Sequence, residues 1–191
     1  PELIVYEIGS ESYLYLKEIS WNAIITQSIS QEYRDELNKW MRFSDEEVLE
    51  KLDGISAEMI GLKGIVKTFY YWTTTHDNAS GDKFANQGNN TAKKQLENNA
   101  AMAVLCSDSD IVSLINLGIK LQNILLELTK NDIAVQPISA ALEVAPFKDH
   151  ITSDLSLDMD CQVIMRLGYV KEYGTNQGLR RSLVDYVTIV S

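Results

Sequence analysis

The chain is poor in cysteine, proline, histidine and positive charge. Its 191 residues include two cysteines, three prolines and two histidines, with 17 basic residues against 27 acidic ones. Two cysteines cannot build the disulfide framework of a small secreted scaffold. Cys106 and Cys161 sit in apolar runs, where a thiol behaves as a small buried hydrophobe. His76 and His150 have no cysteine, histidine or carboxylate at metal-ligand spacing, which argues against a zinc site. A formal net charge of -10 repels phosphate backbones and anionic lipid, so nucleic acid and membrane surfaces are poor partners. No apolar run approaches the roughly 20 residues that span a bilayer, and no secretory signal opens the chain. A cytoplasmic protein is the simplest reading. The sequons at Asn78 and Asn89 matter only in a secreted chain. G-x-S-x-G, Walker and G-x-G-x-x-G patterns are all absent.

What is present suffices for one domain with a sizeable core: 45% of residues are apolar and 23% charged. Residues 3–8 are rich in β-branched and aromatic side chains and stop at Gly9-Ser10, so they read as a strand. A second short strand is expected over 12–16. Helical spacing of Ile24, Ile25, Ile29, Tyr33, Leu37, Trp40 and Met41 predicts one amphipathic helix over 19–43. Ser44 and Glu47 form a capping-box pattern for a short helix ending near Asp53-Gly54. Residues 59–72 are apolar and aromatic without clean periodicity. They lead into 73–91, dense in Asn, Gly, Ser, Thr and Asp, which predicts a long mobile loop able to gate a site.

Residues 100–106 fit a fully buried strand, and the acidic and serine residues after it supply N-caps. The helix expected over 110–130 carries Ile111, Leu114, Ile115, Gly118, Leu121, Gln122, Leu125 and Leu128 on one broad apolar face. Residues 133–135 form a short apolar run stopped by Pro137. Ser139 is placed to cap a short helix, a turn or two of helix follows over 147–155, and 161–169 alternates as a core strand. Strands at both ends with helices between them predict an α+β fold rather than a doubly wound sheet.

Four further features bear on chemistry. Arg180 and Arg181 offer planar donor forks suited to a phosphate, and read equally well as a solvated pair bonding Asp185 or Glu172. Pro137 fixes its φ, so the turn after it can present the backbone N–H groups of Ser139 and Ala140 to an acceptor. Gly118 costs its helix about 1 kcal/mol against Ala, which close approach of a partner helix would offset. Tyr70, Tyr71 and Trp72 read as core or as a cover for a planar ring.

Residues 118–122, Gln136-Pro137-Ile138-Ser139, the run from Val163 through Arg166-Leu167-Gly168-Tyr169 and the pair Arg180-Arg181 follow one another in an order that resembles the nitroreductase-like, FMN-dependent oxidoreductases. The tract over 33–61 is similar to the cover region of a subgroup whose internally duplicated members are proposed to sequester FMN, as is the tract over 137–144. The resemblance implies a nitroreductase-like α+β fold, a single domain over 1–191 with a cover region and mobile loop over 41–91, and FMN as cofactor with NAD(P)H as electron donor. It assigns Pro137, Ile138, Ser139 and Ala140 to the flavin edge and Arg180 and Arg181 to the phosphate, and it implies a homodimer or a pairing with a second half. Family members open with an Arg-rich motif and an Asn-x-Gln-Pro-Trp segment; this chain starts near the end of that segment, so the resemblance implies a domain that is either shortened at its N-terminus or divergent there. The activity implied is reduction of a small electrophile such as a nitroaromatic or quinone. A flavin store without turnover and a flavin-free dimerisation scaffold are the alternatives.

Overall fold

Four antiparallel strands and nine helices make up the described part of a computed structural model, which covers residues 1–171 and 181–188. The chain divides into two compact units: Pro1–Ser28 with Gln87–Tyr173, and Ile29–Asn86 with Gly174–Ser191.

The first unit is built on β1 (Glu2–Glu7), β2 (Ala101–Ser107), β3 (Ile133–Pro137) and β4 (Asp160–Tyr169), in the order β1-β2-β4-β3. All neighbours run antiparallel. β2 lies inside the sheet and is buried on both faces, as its uninterrupted Ala-Met-Ala-Val-Leu-Cys run requires. Met102, Val104 and Cys106 point to one face, and Ala103 and Leu105 to the other. The first face is covered by α1 (Glu11–Ile29), α8 (Ala140–Glu143) and α9 (Phe147–Asp154), which contribute Tyr13, Leu16, Ile19, Ala23, Ala140, Ala141 and Ile151. The second is covered by α7 (Ile111–Lys130).

Residues 12–16 correct the expected second strand: they belong to α1. Ser10 starts that helix, its Oγ accepting from the Tyr13 N–H at 3.3 Å and its carbonyl from Leu14 at 3.0 Å. Tyr13 and Leu16 belong instead to a buried stripe with Ile19 and Ala23 at helical spacing. The single helix expected over 19–43 is two. Ser30 adopts an extended backbone (φ -79°, ψ 122°) and divides α1 from α2 (Gln31–Trp40).

α7 packs on the sheet through Leu117, Leu121, Ile124 and Leu128. That stripe shares only Leu121 and Leu128 with the face read from the sequence. Ile111, Leu114, Ile115 and Gly118 lie on exposed surface, and a Cβ built on Gly118 meets nothing within 4 Å. By length and composition α7 is also apolar enough to cross a bilayer, which corrects the reading of the apolar runs.

The region expected as a long loop over 73–91, most of which lies in the second unit, is largely helical. It contains the end of α4 (Gly64–Thr73), α5 (His76–Ala79) and most of α6 (Asp82–Glu97). Asn78 explains part of the misreading: its carboxamide accepts from the Thr75 N–H at 3.0 Å and closes a capping box at the start of α5. Met41, Phe43 and Ala79 form the small apolar centre, with Ile55, Tyr70 and Phe84 against it. Beside it lies Arg42, 3% exposed. Its Nη1 donates to the carbonyls of Lys39 (2.7 Å) and Met41 (2.8 Å), and its Nε and Nη2 donate to Asp53. α3 (Asp45–Lys51) starts at Ser44, whose Oγ accepts from the Glu47 N–H at 3.0 Å, as the capping box predicts. The reciprocal bond of the box is displaced by one residue: Glu47 accepts from the N–H of Phe43, just before the cap, at 3.0 Å. Gly54 at φ +75° lets the chain turn back beside α2: a Cβ there would stand 2.4 Å from the Trp40 carbonyl.

Candidate functional site

The edge strand β3 ends at Pro137, a position where the sheet requires no further N–H donor. Register places Gln136 opposite Arg166 and Pro137 opposite Met165. The Ile138 N–H is taken by the Ile164 carbonyl at 2.8 Å, which pins the chain to β4 as it leaves the sheet. Ser139 then adopts a helical backbone (φ -92°, ψ -22°), and its side chain caps nothing. This corrects the N-cap expectation, because a capping side chain needs an extended backbone to reach the following N–H groups. Among the described residues no acceptor meets the N–H of Ser139 or of Ala140. Ser139 is exposed, but Ala140 is only 6% exposed, and a buried residue whose N–H lacks a partner is uncommon in folded chains.

The turn opens onto a cavity of about 200 Å³ bounded by α1 (Ile24, Gln27), α6 (Gln95, Leu96), Gln136 and Arg166. Gln27 Nε2 donates to Glu143 at 2.9 Å. Arg166 Nε donates to Gln136 Oε1 at 2.5 Å, and its Nη1 to the carbonyls of Gln95 (2.8 Å) and Asn98 (3.1 Å). Burial of this guanidinium holds its pKa below the ordinary arginine value. A second cavity of about 120 Å³ lies along the end of β4 and is also lined by Gln136 and Arg166.

Comparison with known proteins supports this architecture at the level of fold. No family model and no curated protein matches the chain. Among solved structures, the chain is similar over its full length to the FMN-dependent nitroreductase NfnB from Mycobacterium smegmatis, determined in complex with NADPH, at 13% identity and a TM-score of 0.54, covering 78% of that protein. The chain has a nitroreductase-like α+β fold.

Pro137, Ile138, Ser139 and Ala140 thus stand together at one wall of a cavity in that fold. Arg180 lies outside the described residues. Arg181 donates from Nη2 to Asp53 at 2.9 Å, an ion pair with a carboxylate other than Asp185 or Glu172. The Arg42 and Arg181 guanidinium groups both hold the Asp53 carboxyl below its usual value. The aromatic trio divides. Tyr70 packs on Phe43 with ring centroids 6.0 Å apart, Tyr71 accepts from the Ala57 N–H at 3.3 Å, and Trp72 is exposed beside Phe69. His76 bonds Asn38 and Glu47, each at 3.0 Å. Cys106 and Cys161 face each other across β2 and β4 as free, buried thiols. The contact with Cys106, reinforced by burial, pushes the Cys161 thiol up, far from the range of a reactive cysteine.

Gln27 and Gln95 line the site without having been singled out in the sequence. The available signal was the spacing of Ala85, Asn89, Ala92 and Leu96, which places one face of α6 inward and brings Gln95 with it. Its polar composition hid that period.

Proposed function

We propose that the chain binds FMN at the turn Pro137, Ile138, Ser139 and Ala140 and reduces a small electrophile of nitroaromatic or quinone type, with NADH or NADPH as donor. The observation that carries this reading is Ala140, a buried residue whose N–H meets no acceptor among the described residues, on the wall of a cavity in a nitroreductase-like fold. The flavin, once bound, supplies the electron transfer. The chain's own task is to orient it: the N–H groups of Ser139 and Ala140 offer hydrogen bonds to the flavin edge, and Ile24 and Leu96 supply apolar wall.

A cavity of about 200 Å³ is smaller than the ~300–1,000 Å³ of typical small-molecule sites. In this proposal a second copy of the fold supplies the remainder, and the exposed face of α7 is the pairing surface. Ile111, Ile115 and Leu126 are 77%, 59% and 58% exposed there, an apolar surface that a lone soluble chain gains nothing by presenting. Gly118 on the same face admits a partner backbone.

Arg180 and Arg181 are assigned to the phosphate, and changing both to Ala is expected to weaken FMN by at least about 2 kcal/mol, as loss of charge-assisted bonds does. The pairing of Arg181 with Asp53 favours a second reading, a scaffold that carries no flavin. A visible spectrum of the purified protein, followed by anaerobic NADPH, separates the readings. A yellow protein that bleaches supports the reductase, a yellow protein that does not bleach is a flavin store, and a colourless protein that takes up no added FMN is a scaffold.

A further inference from the structure

Four arginines lie among the described residues, and three of them pair with carboxylates: Arg34 with Asp82, and Arg42 and Arg181 with Asp53. Arg166 does not. In a chain of net charge -10, a half-buried guanidinium bonded only to neutral oxygens is the exception. Burying a charge without a counter-charge is costly, and the cost falls when an anion completes the site. Nε and Nη1 are engaged by Gln136, Gln95 and Asn98, which fixes the plane of the group, and Nη2 meets no acceptor among the described residues.

Arg166 lines both of the cavities described above, and the larger of the two is also lined by Ala140, whose N–H meets no acceptor among the described residues. We propose that Arg166, fixed by Gln136, forms a subsite for a small planar carboxylate, and that the electrophile taken by this site carries one. The assignment of that carboxylate to the electrophile rests on the flavin reading; the anion subsite itself does not.

The surroundings select among anions. A guanidinium offers a carboxylate a planar, charge-assisted bond. The other polar walls, Gln27, Gln95, Gln136 and Ser139, are neutral. One positive charge among otherwise neutral walls matches a monoanion better than a phosphate dianion.

The test is a titration of the full-length ¹⁵N-labelled protein with benzoate, its neutral isostere benzamide, and inorganic phosphate, each with and without FMN. Benzoate is expected to shift the Arg166 Nε–H and Ala140 amide signals saturably. Benzamide and phosphate should bind at least tenfold more weakly, and Arg166→Gln should raise the benzoate Kd at least tenfold while Arg166→Lys recovers part of the loss. Equal binding of benzoate and benzamide by the unmodified protein would overturn the subsite without recourse to any variant. Tighter binding of phosphate would overturn the choice of a carboxylate. Displacement of benzoate by FMN would overturn its assignment to the electrophile. The two readings fail separately, since a chain that takes benzoate but no FMN keeps the subsite and loses the flavin, and one that takes FMN but not benzoate does the reverse.

Discussion

The sheet unit and the helical unit around Arg42 solve the same problem with different chemistry. In the first, β2 is sandwiched between apolar side chains on both faces, and Leu16, Met102, Leu105 and Ile151 are fully buried. Burial of this kind is non-directional and tolerates small adjustments in neighbouring elements. In the second, the apolar centre is three buried side chains, and a guanidinium stands beside them. Arg42 ties the end of α2 to Asp53, and Glu47, with His76 on it, lies 3.8 Å from the same guanidinium. Such a network specifies geometry well, yet each member depends on the others. The contrast teaches that the proposed ligand cavity belongs to the unit whose framework is set by dry packing, which holds the turn after Pro137 and an Arg166 that has no carboxylate partner among the described residues.

The contrast can be broken at either end. Leu16→Ala should remove about 4 kcal/mol, as large-to-small changes at fully buried positions do, and hydrogen exchange should place the loss in the sheet unit. Arg42→Met is expected to cost about 3 kcal/mol, the low end for breaking a buried ion pair, with the loss confined to the helical unit. Equal exchange in both units after either change would show that they do not differ as described.

Acid should sharpen the difference. Asp53 is held below its usual value of 3.8, chiefly by its bonds to Arg42. Glu47 is buried enough to be pushed up, but the Phe43 N–H and His76 outweigh that and hold it below 4.5. A depressed carboxylate stabilises the fold fully above its unfolded value and loses that contribution as pH falls through the folded one. The helical unit should therefore loosen first as pH drops below about 4.5, followed by exchange or proteolysis, while the sheet unit's apolar core holds.

The smallest effect on stability is expected at Gly118. Gly118→Leu meets nothing within 4 Å in a single chain and removes the glycine's helix penalty, so the isolated chain should gain about 0.5–1 kcal/mol in thermal unfolding. Against a partner helix the same change overpacks by about 1–3 kcal/mol, so sedimentation should show dissociation without unfolding. A wild-type chain that sediments as a monomer and still holds FMN stoichiometrically would remove α7 as the pairing surface.

The sheet was largely legible in the sequence because its strands are short, apolar and bounded by turn residues; β2, β4 and α7 fall within a residue or two of their expected limits. The helical unit was not. The division at Ser30 has no proline or glycine to mark it, and α6 looks like a loop because Asn, Gly, Gln and Thr occupy its outer face. Of the site, the turn after Pro137 could be read from proline's fixed φ, whereas the isolation of Arg166 could not. Whether an arginine finds a carboxylate is decided by residues distant in sequence, here Gln136 and the ends of α6.

The central claim is that the backbone donors after Pro137 receive a flavin. Titrating ¹⁵N-labelled protein with FMN while following the amide signals of Ser139 and Ala140 tests it most directly. Saturable downfield shifts of both, with the same Kd as the change in flavin absorbance, are predicted. FMN binding that leaves those two amides unmoved, or no binding at all, would contradict it.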